Sequence, residues 1–166
     1  TQEVFMKICS RIKFLFPAAA IILTSSISLS QTKSADEVFV NNLMPQPSSL
    51  QASSGGFVLD AQFHAVTTHF DNPRLDGAIH RAVLQLRQKT GLPLSVEPVS
   101  AGTDAPLTVD VQGAGDAIQS VDENEAYTLS VTPTGAHIEA ATVVGAMHGL
   151  ETLVQLAQPS GSDYIL

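Results

Sequence analysis

The chain has 166 residues, enough for one folded domain and a tail, and its 44% hydrophobic side chains exclude wholesale disorder. A formal net charge of -8 with no clustered Lys and Arg excludes a phosphate-neutralising nucleic-acid surface. The single cysteine, Cys9, excludes a disulfide framework, and the absence of Trp with aromatics at 5% argues against a lectin that stacks sugars on exposed rings.

In chain order, Lys7, Arg11 and Lys13 precede the apolar run Phe14 to Leu23 and a small polar run to Ser30, the three-part plan of a secretory signal. The run is too short to span a bilayer stably as a helix, and cleavage is expected around Ser28-Leu29-Ser30. Thr1 to Phe5 stand before Met6 and read as upstream read-through, so residues 1–30 form one processing segment. An uncleaved anchor is the competing reading, because the apolar region continues through Ile27 and Leu29. Lipidation is disfavoured, since Cys9 precedes the apolar run that a lipoprotein cysteine would follow. The expected destination is the periplasm or the exterior, with the membrane touched only through this signal, and residues 31–42 read as a linker.

Leu43-Met44-Pro45-Gln46-Pro47 opens the folded part in extended form, because proline removes a donor and moves its predecessor out of helical space. Ser53-Ser54-Gly55-Gly56 reads as a turn, and Phe57–Leu59 and Phe63–Thr67 as strands. Asp71-Asn72-Pro73 starts a helix, with Leu75, Ile79, Val83 and Leu86 as its apolar stripe, Ala78 and Ala82 beside them, and Gly91 as its stop. Leu94-Ser95-Val96 and Leu107–Val111 are read as strands flanking a turn cluster at Ser100–Asp104. After a loop from Gly113 to Asn124, Tyr127–Val131 and Ala136–Ala140 form a hairpin around Pro133-Thr134-Gly135. Thr142 caps a second amphipathic helix, in which Val143, Met147, Leu150, Val154 and Ala157 recur at helical spacing until Pro159. The order predicts an α+β fold, an antiparallel or mixed sheet with two helices packed on one face, over residues 43–158.

Chemistry is thinly signalled. His64 and His69, five apart along an extended chain, point to opposite faces and do not make a metal pair. His80 finds only Asp76 as a surface partner four residues before it, His137 alternates opposite Ile138, and His148 has Glu151 and Thr152 near it on its helix. The acidic run Asp122-Glu123-Asn124-Glu125 reads as an exposed loop without cause for a raised carboxyl pKa, so it is not taken as a glycosidase carboxylate pair. No nucleophile elbow or phosphate loop appears, and Gly113-Ala114-Gly115 is only a weak relative of one. No catalytic, cofactor-binding or metal residue is assigned, and no cofactor is expected.

The C-terminal third carries a resemblance. Tyr127-Thr128-Leu129-Ser130-Val131 with its turn at Gly135, followed by Gly145-Ala146-Met147-His148-Gly149-Leu150-Glu151-Thr152-Leu153-Val154-Gln155-Leu156, resembles the segment just before the catalytic barrel of family-20 glycoside hydrolases, the β-N-acetylhexosaminidases. The proline-rich opening at Leu43–Pro47 is similar to that family's domain start, so the resemblance runs from Leu43 to Leu166. His148 departs from it, standing where the family commonly has Arg. Gly145 and Gly149, four apart on one helix face, are read as permitting close approach of another element, and Glu151 as facing the barrel.

The resemblance implies an N-terminal support domain of a larger enzyme, with residues 159–166 beginning the connection to an absent (β/α)8 barrel. In such enzymes the sugar's own acetamido oxygen attacks the anomeric carbon, an Asp orients it and the adjacent Glu protonates the leaving oxygen. That pair belongs to the barrel, so Asp36-Glu37 and Asp122-Glu123 are not candidates. The implied partners are the chain's own C-terminal barrel and, through it, glycans ending in N-acetylglucosamine or N-acetylgalactosamine. Two alternatives stand beside this reading: a stand-alone noncatalytic carbohydrate-associated domain, and the N-terminal domain of another barrel glycosidase.

Overall fold

Asn72 and Pro73 begin the first helix as their chemistry requires. The Asn72 side chain accepts a hydrogen bond from the Arg74 N–H, and Pro73 stands where a missing N–H costs nothing. The computed structural model describes residues 41–52, 55–97, 99–100 and 105–166, the pair 99–100 by backbone only. The expected export signal, nearly all of the linker, Ser53-Ser54 and the 101–104 part of the turn cluster lie outside the described residues.

The elements are β1 (Val58–Leu59), β2 (Ala65–Thr68), α1 (Pro73–Thr90), β3 (Val99–Ser100), β4 (Leu107–Val111), β5 (Tyr127–Thr132), β6 (Gly135–Ala140), α2 (Val143–Leu156), β7 (Gln158–Ser160) and β8 (Asp163–Ile165). Five strands form a mixed sheet in the order β3-β2-β4-β6-β5. β3, β2, β4 and β6 run parallel to one another, and β5 returns antiparallel to β6, with Leu129 opposite Ile138 and Ser130 opposite His137.

Alternation sorts the two faces of this sheet. Leu107, Val109 and Val111 of β4 and Ala136, Ile138 and Ala140 of β6 are buried, whereas Thr108, Asp110, His137 and Glu139 point the other way. Both helices cover the buried face: α2 packs on β4, β5 and β6, and α1 packs against α2. The α1 stripe is buried as its spacing predicts, through Leu75, Ala78, Ile79, Ala82, Val83 and Leu86. Gly91 ends α1 in the left-handed region at φ 73, its N–H returning to the Arg87 carbonyl.

Two sequence expectations are corrected. Leu94-Ser95-Val96 makes no strand; β3 lies a few residues later, and the buried Leu94 plugs the core without joining a ladder. On α2 the buried set is Val143, Val144, Gly145, Ala146, Gly149, Leu150 and Leu153, while Met147 and Val154 are only half-buried. A helix wedged between a sheet and a second helix buries a wider arc than one stripe, which rotates the apparent phase. The last residues fold back: β7 and β8 form a hairpin on Gly161, and β8 pairs antiparallel with β1 in a separate three-stranded sheet. Phe57 and Leu166 exchange both backbone hydrogen bonds, at 3.3 and 2.9 Å. Strands of two or three residues, one of them holding Pro159, leave no periodic signal to read.

Candidate functional site

Where α2 crosses the β5–β6 hairpin, the two elements approach too closely for ordinary side chains. A Cβ on Gly145 would stand 2.5 Å from the Ala126 carbonyl oxygen, and one on Gly149 would stand 2.8 Å from Ile138 Cγ2 and 3.2 Å from Tyr127 Cδ2. The pair reads as packing glycines in sequence, and the elements they admit are the start of β5 and the middle of β6.

Polar groups lock the same junction. The Tyr127 hydroxyl and Thr152 Oγ1 share a 2.6 Å hydrogen bond, and Thr152 also donates to the His148 carbonyl. Thr142 caps α2 by accepting from the Gly145 N–H, while its hydroxyl donates to the Asn124 carbonyl at 2.6 Å. Gln155 uses both ends of its amide on one residue, accepting from the Met44 N–H at 2.8 Å and donating to the Met44 carbonyl at 2.9 Å. The proline-rich opening is thereby fastened to the last turn of α2, with Leu43 buried beside it. Removing the Tyr127 hydroxyl with Tyr127→Phe is expected to cost about 1 kcal/mol of unfolding free energy, measured by urea denaturation with β5–β6 content unchanged.

The acidic run divides in a way its composition does not show. Asp122 and Glu125 are exposed, but Glu123 is 9% exposed and both its carboxylate oxygens lack a hydrogen-bond partner among the described residues. A Cβ on Gly115, which holds φ 84, would stand 2.6 Å from Glu123 Oε1 and 3.1 Å from Thr142 Cβ. The carboxylate therefore lies close to the α2 N-cap, where the helix dipole favours negative charge. The reading of the run as wholly exposed fails at Glu123, which lies against Gly115 and Thr142.

The histidines scatter. His69, at φ 66, bonds Asp110 at 2.7 Å across the open sheet face, with Gln112 donating to the same carboxylate oxygen. His137 faces away from Ile138 and approaches Glu139 of its own strand at 3.5 Å. His148 pairs with Glu125 at 3.4 Å, not with Glu151, because the loop end before β5 comes nearer than the next helical turn. His80 makes no ion pair with Asp76 among the described residues. The Asp76 carboxyl is raised above its ordinary range by desolvation first and the charge of Asp71 second, whereas pairing with a cation would lower it. Glu151 is exposed and makes no hydrogen bond or ion pair among the described residues.

On the open face, Thr108, Ser130, Thr132 and His137 line a shallow depression of about 420 Å³. The His69–Asp110 pair has the form in which a carboxylate orients an imidazole for proton transfer, but neither group has a hydroxyl or thiol nucleophile as a hydrogen-bond partner among the described residues. Among the described residues no group of three His, Cys, Asp or Glu side chains gathers to hold a metal ion. The residues that the sequence motif singles out thus converge on one mechanical task, joining hairpin, helix and opening segment.

Comparison with known proteins bears on the same segment. A family model described as "beta-acetyl hexosaminidase like" matches residues 43–156. The chain is 38% identical over 65 residues to the beta-hexosaminidase subunit beta of Entamoeba histolytica, a match covering 36% of this chain and 12% of that protein. Among solved structures it is similar to the chitobiase of Flavobacterium johnsoniae, with a TM-score of 0.69 at 28% identity over 75% of this chain and 19% of that one. It also shares its fold with the N-acetyl-beta-hexosaminidase of Streptomyces plicatus, with a TM-score of 0.55 at 21% identity over 72% of this chain and 23% of that one. The chain thus spans less than a quarter of the length of each of these relatives.

Proposed function

This chain belongs to the beta-acetyl hexosaminidase-like domain family, the N-terminal domain of family-20 glycoside hydrolases, and from that premise we propose that it serves as the noncatalytic support of an exported β-N-acetylhexosaminidase. The observation that carries this reading is the α2–hairpin junction. Gly145, Gly149, Thr152, Gln155 and Tyr127 are engaged in packing and locking, and none is presented to a pocket as an acid, base or nucleophile.

The catalytic work falls to a barrel following this domain, acting on terminal N-acetylglucosamine or N-acetylgalactosamine with the substrate's acetamido group as nucleophile. The role of the support is to present a preformed, rigid face from which that barrel is held. Glu151 is exposed beside Thr152 and is available for such a contact. Export is supported by the basic, apolar and small-residue pattern of residues 1–30.

The test compares the 166-residue chain with a longer protein that continues through the barrel, both assayed on p-nitrophenyl N-acetyl-β-glucosaminide. Turnover is expected only from the longer protein, recovered from the periplasmic or culture fraction. Turnover by the short chain, or a longer protein that is inert on this substrate, would overturn the reading.

A further inference from the structure

After α2 the chain does not run straight on. Ala157, at φ -59 and ψ 117, takes it out of the helix, and Gly161, at φ 61, turns it back, so that β7 and β8 run antiparallel and β8 lies against β1. None of Gln158–Ser160 is buried, so β7 adds nothing to the core of this domain. Ordering such a hairpin costs backbone entropy that burial of its first strand does not recover.

The second strand is held more firmly than its three residues suggest. Val58 faces Ile165 and Leu59 faces Tyr164, and at the next position Phe57 and Leu166 exchange both backbone hydrogen bonds. The residues of this ladder are rooted in the core. Leu59 and Leu166 are buried, and the Phe57 ring lies 6.1 Å from that of the fully buried Phe63. Gly56 completes the seat: a Cβ there would stand 2.6 Å from the Leu166 carbonyl oxygen, a backbone atom that cannot swing aside. The close seating of Leu166 therefore requires that position 56 carry no side chain.

We propose that the β1–β8 ladder is a joint: it fixes the direction in which the chain leaves the domain at Leu166, so that a barrel following it is held in one orientation. The existence of that barrel rests on the support-domain reading, whereas the joint rests on hydrogen bonds and a close approach within this chain. Domains connected by an unpaired segment reorient unless a large apolar interface holds them. A strand paired on a core-anchored neighbour has lost the backbone freedom by which a linker turns.

The test is Gly56→Ala, made in the 166-residue chain and in a longer protein that continues through the barrel. In the short chain, amide exchange at Phe57 and Leu166 is expected to quicken at least tenfold while α1, β4 and β6 stay protected. In the longer protein, X-ray scattering of the parent is expected to fit one rigid arrangement, and the variant to show a larger radius of gyration. A second variant reads the joint without loosening it. Because Phe57 and Leu166 form a hydrogen-bonded pair, Val58 and Ile165 form the closer, non-hydrogen-bonded kind, within reach of a disulfide. Val58→Cys with Ile165→Cys, made with Cys9→Ser, is expected to cross-link on oxidation and leave the parent's scattering unchanged. Three results overturn the proposal: a pair that does not cross-link, exchange at Phe57 and Leu166 unchanged by Gly56→Ala, or scattering of the longer protein unchanged by it. An active longer protein with unchanged scattering removes the joint alone; one held rigid yet inert on p-nitrophenyl N-acetyl-β-glucosaminide removes the enzyme reading alone.

Discussion

Ile138→Ala is expected to destabilise the domain by about 2–5 kcal/mol, because it empties a fully buried site on a central strand beneath α2. The cost at this site has an unusual partner. Gly149→Ala alone drives a methyl to within 2.8 Å of Ile138 Cγ2, which must move, so it too destabilises, against the stabilisation of about 1 kcal/mol that alanine gives over glycine in an unencumbered helix. In the Ile138→Ala background the nearest obstacle is gone, leaving Tyr127 Cδ2 at 3.2 Å, and the new methyl partly fills the void. Adding Gly149→Ala there should therefore restore stability, giving a coupling above about 0.5 kcal/mol in a double-mutant cycle followed by urea unfolding. Strict additivity would show that α2 does not rest on β6 as described.

Gly145→Ala is expected to be the more damaging glycine replacement, and no partner change should rescue it. Its Cβ meets the Ala126 carbonyl oxygen at 2.5 Å, a backbone atom that cannot turn aside, with the Ala140 Cβ at 3.3 Å behind it. Either α2 lifts from the sheet or the start of β5 retreats, and each loosens the Thr142–Asn124 hydrogen bond. A loss of about 3 kcal/mol is expected, at the upper end of ordinary overpacking. Amide exchange should rise in Tyr127–Leu129 while α1 remains protected. A variant as stable as its parent would show that the close approach is absent.

Much of this architecture is legible in the sequence because its determinants are local. Asn72-Pro73 and Gly91 bracket α1, Gly135 turns the hairpin, and Thr142 caps α2. Alternation in Leu107–Val111 and Ala136–Ala140 names the buried face correctly. What escapes reading depends on separation along the chain. The parallel pairing of β4 with both β2 and β6 has no signature within any one strand, and the burial of Glu123 follows from Gly115 and Thr142 meeting above it. His148 finds Glu125 by tertiary contact where helical spacing suggests Glu151. The motif that identifies the family is legible, but the use of Gln155 is not, since its partner is a backbone amide at the far end of the fold.

That amide clasp reaches across 111 positions, and Phe57 with Leu166 closes a span of similar reach. Contacts of this kind are made late, because the entropy of closing so long a loop is lost before either bond is gained. A chain emerging stepwise, from a ribosome or through a translocation pore, can assemble α1 and its strands early, yet its opening segment stays unfastened until the helix bearing Gln155 has followed it out. The domain is thus built to finish folding only after nearly all of it has arrived, and its opening segment is expected to be the first part to fray when native molecules breathe.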